Sequence, residues 1–486
     1  MRHAVTPQTH KKGLILALAA LLSACSPSTG HSEQPAPGEG FRAPATLAEP
    51  NRRVPVDATA VKASFSSVVK MAAPAVVNVY ARRVVRQRAD PFWELFGGGV
   101  PRERVEQSLG SGVIVRADGV IVTNNHVVAG GQEFMVVLAD RREYPAKLLS
   151  ADPRTDLAVL KVDTGNERLP VLPLNDKGDL EVGDLVLAIG NPFGVGQTVT
   201  NGIISALDRT EVGPGQAAYI QTDAAINSGN SGGALVDMDG NLIGINTFIL
   251  SRSGTSAGVG FAIPAPLVRR MIDSALGGSK GLIRPWLGIK GDTVTSDVAR
   301  SLGQARPAGV LVSDIFPGGP AARSGIRPGD IVLSVDGVAV NDPTALNYHI
   351  GTHKPGAQTQ IQILRGNAPV ILKATVEAPP ESPARDERVL SGNQPLNGAK
   401  VVNLSPALAD ELGLDPFLGR GVMVLELSAR GYAASAGLRP GDLILEVNGQ
   451  KITSTRMLQD TLSRTVPQWE IAIERKGQRI TGRFRG

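Results

Sequence analysis

Cysteine and aromatic residues are scarce in this chain, and long apolar runs are missing after its first 25 residues. One cysteine in 486 residues rules out an intramolecular disulfide. Aromatic residues make up only 4%, too few for the base-stacking surfaces of proteins that bind single-stranded nucleic acid. The net charge is +5 and the basic residues are scattered. We therefore expect no nucleic-acid partner.

The N-terminus has the pattern of a secretory signal peptide. Basic residues precede an apolar run from Leu14 to Leu22, which is shorter than the roughly 20 residues that a membrane helix needs. The run leads into Ser-Ala-Cys25, which resembles a bacterial lipobox, and Cys25 is the single cysteine. We predict a signal peptide over 1–25 and lipidation of Cys25. The alternative is an ordinary signal-peptidase site with an incidental cysteine; in either case the mature protein works outside the cytoplasm.

Composition separates a tether from a β-rich domain. Residues 26–60 are rich in Pro, Gly, Ser, Ala and Glu, which predicts a flexible tether. Over 61–281 short β-branched runs alternate with Gly, Asp and Asn, a pattern typical of an all-β sandwich or barrel. Near the end of this region, Pro264–Asp273 is expected to form a helix with proline at its start.

The last third of the chain contains an internal repeat. Ala321–Gly337 reappears as Ala433–Gly449, and this spacing of 112 residues is too long for a solenoid unit. We therefore expect two copies of a small domain, at 282–377 and 395–486, joined by a polar, proline-rich linker at 378–394. Both copies resemble PDZ domains, which bind extended peptides or C-termini by adding a strand to a sheet edge.

The PDZ resemblance implies a carboxylate-binding loop in each copy. In that family an apolar-Gly-apolar loop presents backbone N–H groups to the peptide carboxylate. The first copy matches it with Trp286, Leu287, Gly288 and Ile289. The second copy matches loosely over Pro395–Ala399, with alanine where a larger residue would help to bind a side chain. The resemblance implies peptide capture by the first domain more than by the second.

A glycine-rich stretch in the β domain, INSGNSGGAL over Ile226–Leu235, holds two serines. Its Gly229-Asn230-Ser231-Gly-Gly fits the elbow of α/β-hydrolases, the serine of chymotrypsin-like proteases, and also a mere polar loop. Glycine lets backbone N–H groups approach a developing oxyanion without obstruction by a Cβ. A nucleophilic serine would also need a histidine base, oriented by a carboxylate.

Histidine position separates these interpretations. Of the six histidines, only His126 lies in the β domain, and every histidine after Ser231 belongs to the first PDZ-like copy. The α/β-hydrolase order places the histidine after the serine, so that interpretation fails. The order His, Asp, Ser is that of chymotrypsin-like double β-barrels. Spacing favours Asp156, at the head of the apolar run Leu157–Val162, without excluding the others. The candidates include Asp140, Asp152, Asp156, Asp163, Asp176, Asp184, Asp208 and Asp223.

Six motifs in order resemble the HtrA (Deg) family of serine endoproteases, and two PDZ copies point to its bacterial periplasmic branch. The resemblance covers nearly everything from Val61 onward. It implies a mainly β fold: a chymotrypsin-like double β-barrel protease domain followed by two PDZ domains. The motifs are Thr123–Val128, Thr155–Leu160, Gly190–Gly194, Gln221–Asn227, Gly229–Leu235 and Gly258–Pro264.

Site roles follow from this resemblance. It implies His126 as general base, Asp156 as its orienting carboxylate and Ser231 as nucleophile, with no cofactor and no metal. The oxyanion hole would use backbone N–H groups of the loop Gly229-Asn230-Ser231. Ile226 would line the pocket for a small or medium aliphatic residue before the cut, or else pack in the core. The segment that pairs with substrate would be Thr247, Phe248, Ile249, Leu250 and Ser251.

The implied function is ATP-independent cleavage of unfolded or misfolded envelope proteins in the periplasm of a Gram-negative bacterium. The PDZ domains would capture substrate C-termini or apolar segments. Alternatives are a chaperone-like or regulatory PDZ-binding protein on a protease fold, and a lipid-anchored PDZ scaffold. The family implies trimers, or multiples of them, formed through the segment around Phe65. The insert near Asp90–Ser108 is short and lacks the cysteines of the family's best-known members, which argues against a cage assembly governed by that loop.

Overall fold

In the computed structural model the chain divides into two compact units, Met1–Ala60 and Val61–Gly486. All of the residues that the structure describes lie in the second unit. The predicted signal peptide, Cys25 and the tether over 26–60 therefore lie outside the described residues, as does the insert up to residue 101. Within the described ranges, no helix has the length and apolar character needed to cross a membrane. Those ranges are 64–87, 102–177, 179–191, 196–210, 212, 218–227, 229–249, 258–279, 281–418, 421–429 and 431–485.

Two closed antiparallel barrels form the first part of the unit. Helix α1 (Ser66–Ala72) precedes the first barrel, whose strand order is β1-β2-β3-β6-β5-β4. Its strands are β1 (Val76–Gln87), β2 (Arg102–Arg116), β3 (Val120–Asn124), β4 (Glu133–Val137), β5 (Glu143–Asp152) and β6 (Leu157–Val162), with the short helix α2 (Asn125–Val128) after β3.

The second barrel has the strand order β10-β11-β12-β9-β8-β7 and is followed by a helix. That helix, α3 (Ala265–Leu276), has Pro264 as its N-cap, and it extends three residues beyond the predicted Asp273. The strands are β7 (Leu185–Gly190), β8 (Thr198–Arg209), β9 (Tyr219–Thr222), β10 (Ala234–Val236), β11 (Leu242–Ile249) and β12 (Gly260–Pro264).

The barrels bury β-branched and aliphatic side chains, as the sequence pattern predicted. Every residue of β3 and of β12 is buried, because these short strands face protein on both sides. The ends of β3 and β6 adjoin, since Asn124 of β3 pairs with Leu157 of β6. This pairing brings the segment after β3 next to the turn before β6, and the candidate site lies there.

The first PDZ domain is an antiparallel sheet in the order β13-β14-β15-β17-β18, with β16 paired to β15. Helix α6 (Pro343–Gly351) lies alongside it, capped by Asp342. The other elements are β13 (Ile289–Thr293), α4 (Ser296–Ser301), β14 (Val310–Ile315), α5 (Pro320–Ser324), β15 (Ile331–Val335), β16 (Val338–Ala339), β17 (Gln358–Arg365) and β18 (Ala368–Thr375).

The second PDZ domain repeats this plan with one more strand at its edge, in the order β19-β20-β21-β22-β24-β25, with β23 paired to β22. The extra strand β19 (Arg388–Val389) lies inside the segment 378–394 that composition predicted as a linker. The fold class is therefore confirmed: mainly β, two barrels and two PDZ domains. The remaining elements are β20 (Ala399–Asn403), α7 (Pro406–Glu411), β21 (Val422–Leu427), α8 (Tyr432–Ser435), β22 (Leu443–Val447), β23 (Gln450–Lys451), α9 (Thr455–Leu462), β24 (Gln468–Arg475) and β25 (Gln478–Arg485).

Candidate active site

His126 and Asp156 meet at the joined ends of β3 and β6. The short helix α2 carries His126, and the turn before β6 carries Asp156. Asp156 Oδ2 lies 2.8 Å from His126 Nδ1, and its Oδ1 accepts the backbone N–H of His126 at 2.9 Å. A carboxylate bound to Nδ1–H leaves Nε2 unprotonated and able to accept a proton.

The backbone at Asp156 is held in an uncommon conformation. Its φ of 56° lies in the left-handed region, which aspartate and asparagine tolerate better than most residues. The side-chain amide of Asn124 donates to the Asp156 carbonyl at 3.0 Å, and the N–H of Asn125 donates to the same oxygen at 2.9 Å. These bonds fix the turn onto the histidine segment, so the carboxylate is preorganised.

The glycine pair after Ser231 is required by packing. Gly232 has a φ of 83°, and a Cβ there would lie 2.1 Å from the Ser111 carbonyl oxygen. A Cβ on Gly233 would lie 2.3 Å from the Ile189 carbonyl oxygen. Both positions need glycine because a backbone oxygen cannot yield as a flexible side chain can. The two glycines therefore allow the segment after Ser231 to pack closely against the backbone of both barrels.

The hydroxyl of Ser231 donates to the Thr247 carbonyl at 2.9 Å. No hydrogen bond joins Ser231 to His126 among the described residues. The hydroxyl of Thr247 donates to Asp156 Oδ2 at 2.7 Å. Thr247, which the sequence placed only in the substrate segment, thus contacts both Ser231 and Asp156. No sequence signal marked this role, because the contact depends on β11 passing both residues.

The loop Gly229-Asn230-Ser231 places two backbone N–H groups beside the predicted nucleophile. Asn230 N–H donates to the Asn227 carbonyl at 3.0 Å, whereas the N–H groups of Gly229 and Ser231 donate to no other described residue. Gly229 has a φ of 103°. Unpaired N–H groups that flank a nucleophile are what an oxyanion hole requires.

Ser111 in β2 holds the loop that carries Ser231, and sequence reasoning missed it. Its side chain is fully buried. The Ser111 hydroxyl donates to the Gly229 carbonyl at 2.6 Å and accepts the N–H of Asn191 at 2.8 Å. Its backbone N–H donates to the Ser231 carbonyl at 2.9 Å. The available signal was a serine between two glycines within a strand.

We predict that Ser111→Ala lowers kcat by roughly 10- to 100-fold, because a small misplacement of the reacting groups is costly. The free energy of unfolding should fall by about 1–3 kcal/mol, since the Asn191 N–H loses its acceptor. Single-turnover cleavage of a peptide substrate and urea unfolding measure the two effects. Ser150→Ala is the matched control, because the Ser150 hydroxyl is buried without a partner among the described residues. A Ser111→Ala enzyme as fast as the Ser150→Ala enzyme would refute this role of Ser111.

Aromatic packing supports the segment that is predicted to pair with substrate. Phe248 stacks on Phe261 at a ring-centroid distance of 4.9 Å and meets Tyr219 edge-on at 5.1 Å. Burial, together with the negative charge of Asp156, raises the pKa of Tyr219 to about 12. Phe248 and Ile249 are half-buried, whereas Leu250 and Ser251 lie outside the described residues.

Ile226 packs in the core of the second barrel and is 1% exposed. A Cβ on Gly260 would lie 2.8 Å from Ile226 Cδ1, so the side chain is in close contact with β12. This placement favours the core role that the sequence left open beside the pocket role.

The turn before Asp156 is anchored to the PDZ region. Asp152 is buried and accepts a hydrogen bond from Thr155 Oγ1 at 2.6 Å and another from the Arg284 guanidinium. Burial lowers the pKa of Arg284, and the charge of Asp152 opposes that effect. Arg154 in the same turn pairs with Asp410 of the second PDZ domain at 2.7 Å.

The predicted carboxylate loop of the first PDZ domain borders a cavity of about 340 Å³. Gly288 has a φ of 73°, and the N–H groups of Leu287 and Gly288 donate to no other described residue. Leu346 and Ile350 of α6 line the same cavity. The indole N–H of Trp286 is buried without a partner among the described residues.

Comparison with known proteins agrees with this architecture. The trypsin-like peptidase domain family matches residues 110–245, and PDZ families match 285–376 and 423–465. A probable periplasmic serine endoprotease DegP-like from Halomonas elongata is 39% identical over 82% of this chain and 87% of its own length. A protein of the same name from Pseudomonas fulva is 38% identical over 81% of this chain and 86% of its own.

Solved structures give the same result. The HtrA-type protease AlgW with a decapeptide is 44% identical, with a TM-score of 0.50 over 65% of this chain and 99% of AlgW. Identity above 30% over most of the length of the curated relatives, which are named periplasmic, establishes both the family and the compartment. The chain belongs to the HtrA family, as a periplasmic DegP-like serine endoprotease with two PDZ domains.

Proposed function

We propose that His126, Asp156 and Ser231 form the catalytic triad of an endopeptidase that cleaves unfolded proteins without ATP. The observation that carries the proposal is the bidentate grip of Asp156 on His126, through Nδ1 at 2.8 Å and the backbone N–H at 2.9 Å. This grip holds His126 in the tautomer whose Nε2 can act as a base.

In the proposed reaction the Ser231 hydroxyl leaves the Thr247 carbonyl and turns toward His126 Nε2. Its oxygen attacks the scissile carbonyl carbon, its proton passes to Nε2, and Asp156 stabilises the resulting imidazolium. The N–H groups of Gly229 and Ser231 bind the oxyanion. The imidazolium then protonates the leaving amine, and water repeats the sequence to release the acyl group and restore Ser231.

An unpaired stretch of β11 supports unfolded chains as the substrate class. Strand β10 pairs with β11 only as far as Ile245. Residues 247–249 therefore have β12 on one side and no strand on the other among the described residues. A substrate segment can add there as a strand, which requires an extended backbone free of its own partners. Folded proteins rarely expose such segments.

Capture of peptide C-termini by the first PDZ domain is the second part of the proposal. Two supports are the N–H groups of Leu287 and Gly288, which donate to no other described residue, and the cavity that they border. The open edge of β13 is a third, because β14 is its only neighbour among the described strands. Phe417 of the second PDZ domain packs near Trp286, and Asp415 pairs with Lys290 at 3.2 Å. Residues of the second domain thus form one side of the cavity.

The test of the protease function is degradation of an unfolded protein such as casein, without ATP, by the wild-type chain and by Ser231→Ala. Loss of casein at equal rates would overturn the proposal. Retained suppression of aggregation by a wild-type chain that cleaves nothing would favour the chaperone-like alternative instead.

We further propose a homotrimer, or a multiple of it, anchored to a membrane by lipid on Cys25. Half-buried Phe65 precedes α1 and packs beside the barrel core, where the family resemblance places subunit contacts. The lipobox pattern at Leu22–Cys25 supports the anchor. Native mass spectrometry of the mature protein measures the subunit number and the mass added at Cys25 together; a monomer, or an unmodified cysteine, would refute the respective part.

A further inference from the structure

The two PDZ domains can be aligned residue by residue around the loop glycine. Gly288 has a φ of 73° and Gly398 a φ of 85°. Each domain makes the same pair of backbone hydrogen bonds at this loop, so Gly398 is the counterpart of Gly288. The bonds are Phe316 N–H to Gly288 O and Ala321 N–H to Leu287 O in the first domain, and Ser428 N–H to Gly398 O and Ala433 N–H to Asn397 O in the second.

The strand after the loop has a different neighbour in each domain. In the first domain β13 is an edge strand, and in the second the equivalent β20 is covered by β19. The pairing is antiparallel, with Val389 opposite Lys400. A peptide bound to a PDZ domain adds as a strand at this position. Chain segment 385–390 therefore occupies the place of a peptide ligand.

Leu390 lies where the last residue of such a peptide would lie. Its N–H donates to the Ala399 carbonyl at 2.8 Å, and its carbonyl accepts the N–H of Gly398 at 2.9 Å. In the first domain, the corresponding N–H of Gly288 has no partner among the described residues. The Leu390 carbonyl thus accepts the hydrogen bond from Gly398 N–H that a terminal carboxylate would otherwise accept.

The side chains of the segment also follow a peptide-like pattern. Leu390 is 3% exposed and joins the domain core, whereas Val389 is 69% exposed. Arg388 turns toward helix α9 and donates to the Gln459 side chain. Thr455 at the start of α9 donates to the Asp386 carboxylate at 2.6 Å. The segment thus contacts both walls of the groove, strand β20 and helix α9.

We propose that the groove of the second PDZ domain is a peptide-binding site occupied by the chain's own segment 385–390, with Leu390 as its terminal anchor. Its ligand class in trans is a peptide C-terminus ending in leucine or a similar aliphatic residue. The internal segment competes with such peptides, because a tethered ligand acts at an effective concentration on the order of millimolar. This inference is independent of capture by the first domain.

The test uses full-length protein with Ser231→Ala and the free hexapeptide RDERVL, which copies 385–390 and ends in a carboxylate. Calorimetric titration should give one peptide per chain for this parent. Adding Leu390→Asp places a charge in the apolar pocket, displaces the segment, and should raise the count to two. Leu412→Asp is the matched control, because Leu412 is an exposed leucine of the same domain, and it should keep one.

Hydrogen exchange in β24, where Trp469 is fully buried, shows whether the domain stays folded in each variant. A second variant, Asp386→Ala with Arg388→Ala, removes the contacts to α9 and leaves Leu390 in place. Because the internal segment is weakened, this variant too should bind two peptides per chain at concentrations where the parent binds one. If that variant stays folded and gains no second site, the inference is wrong.

The remaining outcomes are also decisive. Two peptides bound by the parent would show that the segment does not occupy the groove, and would overturn the inference. No bound peptide in the parent and one bound peptide in the Leu390→Asp protein would support the inference, and would contradict capture of this peptide by the first domain.

Discussion

Ser231→Ala should lower kcat/KM for an unfolded substrate by at least about 10⁴-fold, because alanine offers no nucleophile and the rest of a triad cannot substitute for it. The Ser231 hydroxyl makes one described hydrogen bond, to the Thr247 carbonyl at 2.9 Å. Its loss should change the free energy of unfolding by only about 0.5–1.5 kcal/mol. The loss of activity is therefore not a loss of fold.

The measurement is initial-rate cleavage of casein, together with urea unfolding of both proteins. Ser150→Ala removes a buried hydroxyl without a described partner from the same domain, and it should cleave within twofold of wild type. Binding of the PDZ peptide should be unchanged in the Ser231→Ala protein. A variant that keeps more than a tenth of the wild-type rate would mean that Ser231 is not the nucleophile.

Order along the chain was sufficient to single out His126 and Ser231 as candidates, because the β domain holds one histidine and one serine followed by a glycine pair. The carboxylate was harder to select. Spacing favoured Asp156 over the other aspartates only weakly, since the feature that selects it is the pairing of Asn124 with Leu157. Strand register is a tertiary property that local sequence does not carry.

The hydrogen bonds of hydroxyl groups could not be predicted from the sequence for the same reason. Ser111 and Gly229 are 118 positions apart, and the hydrogen bond from the Ser111 hydroxyl to the Gly229 carbonyl depends on the two barrels meeting. The occupied groove of the second PDZ domain was equally hidden. Residues 378–394 have a linker composition, yet strand β19 within them covers β20. A short strand in a polar segment can be identified from the strand that it pairs with, and not from its own residues.

Asp156→Asn tests the carboxylate without disturbing the backbone. Asparagine tolerates the left-handed φ of 56° about as well as aspartate does. The bonds from Asn124 and Asn125 to the main-chain carbonyl of residue 156 do not involve the side chain. The turn should therefore keep its shape, and any effect should come from the change of carboxylate to amide.

That change leaves one acceptor oxygen for three donors. In the wild type Oδ1 accepts the backbone N–H of His126, while Oδ2 accepts the Nδ1–H of His126 and the hydroxyl of Thr247. If the amide oxygen faces Nδ1, the NH₂ group opposes the backbone N–H of His126. If the NH₂ group faces Nδ1, the imidazole must carry its proton on Nε2 and can no longer accept one from Ser231.

Either arrangement should lower kcat at neutral pH, by roughly 10⁴-fold for the wrong tautomer, while KM stays within about threefold because no substrate contact is removed. Steady-state cleavage of a peptide substrate separates the two constants. Asp163→Asn makes the same change at an exposed aspartate, one of the sequence candidates, and should leave both constants within twofold. A fall in kcat of less than tenfold for Asp156→Asn would show that another group orients His126, since a structural role alone would lower stability without fixing the tautomer.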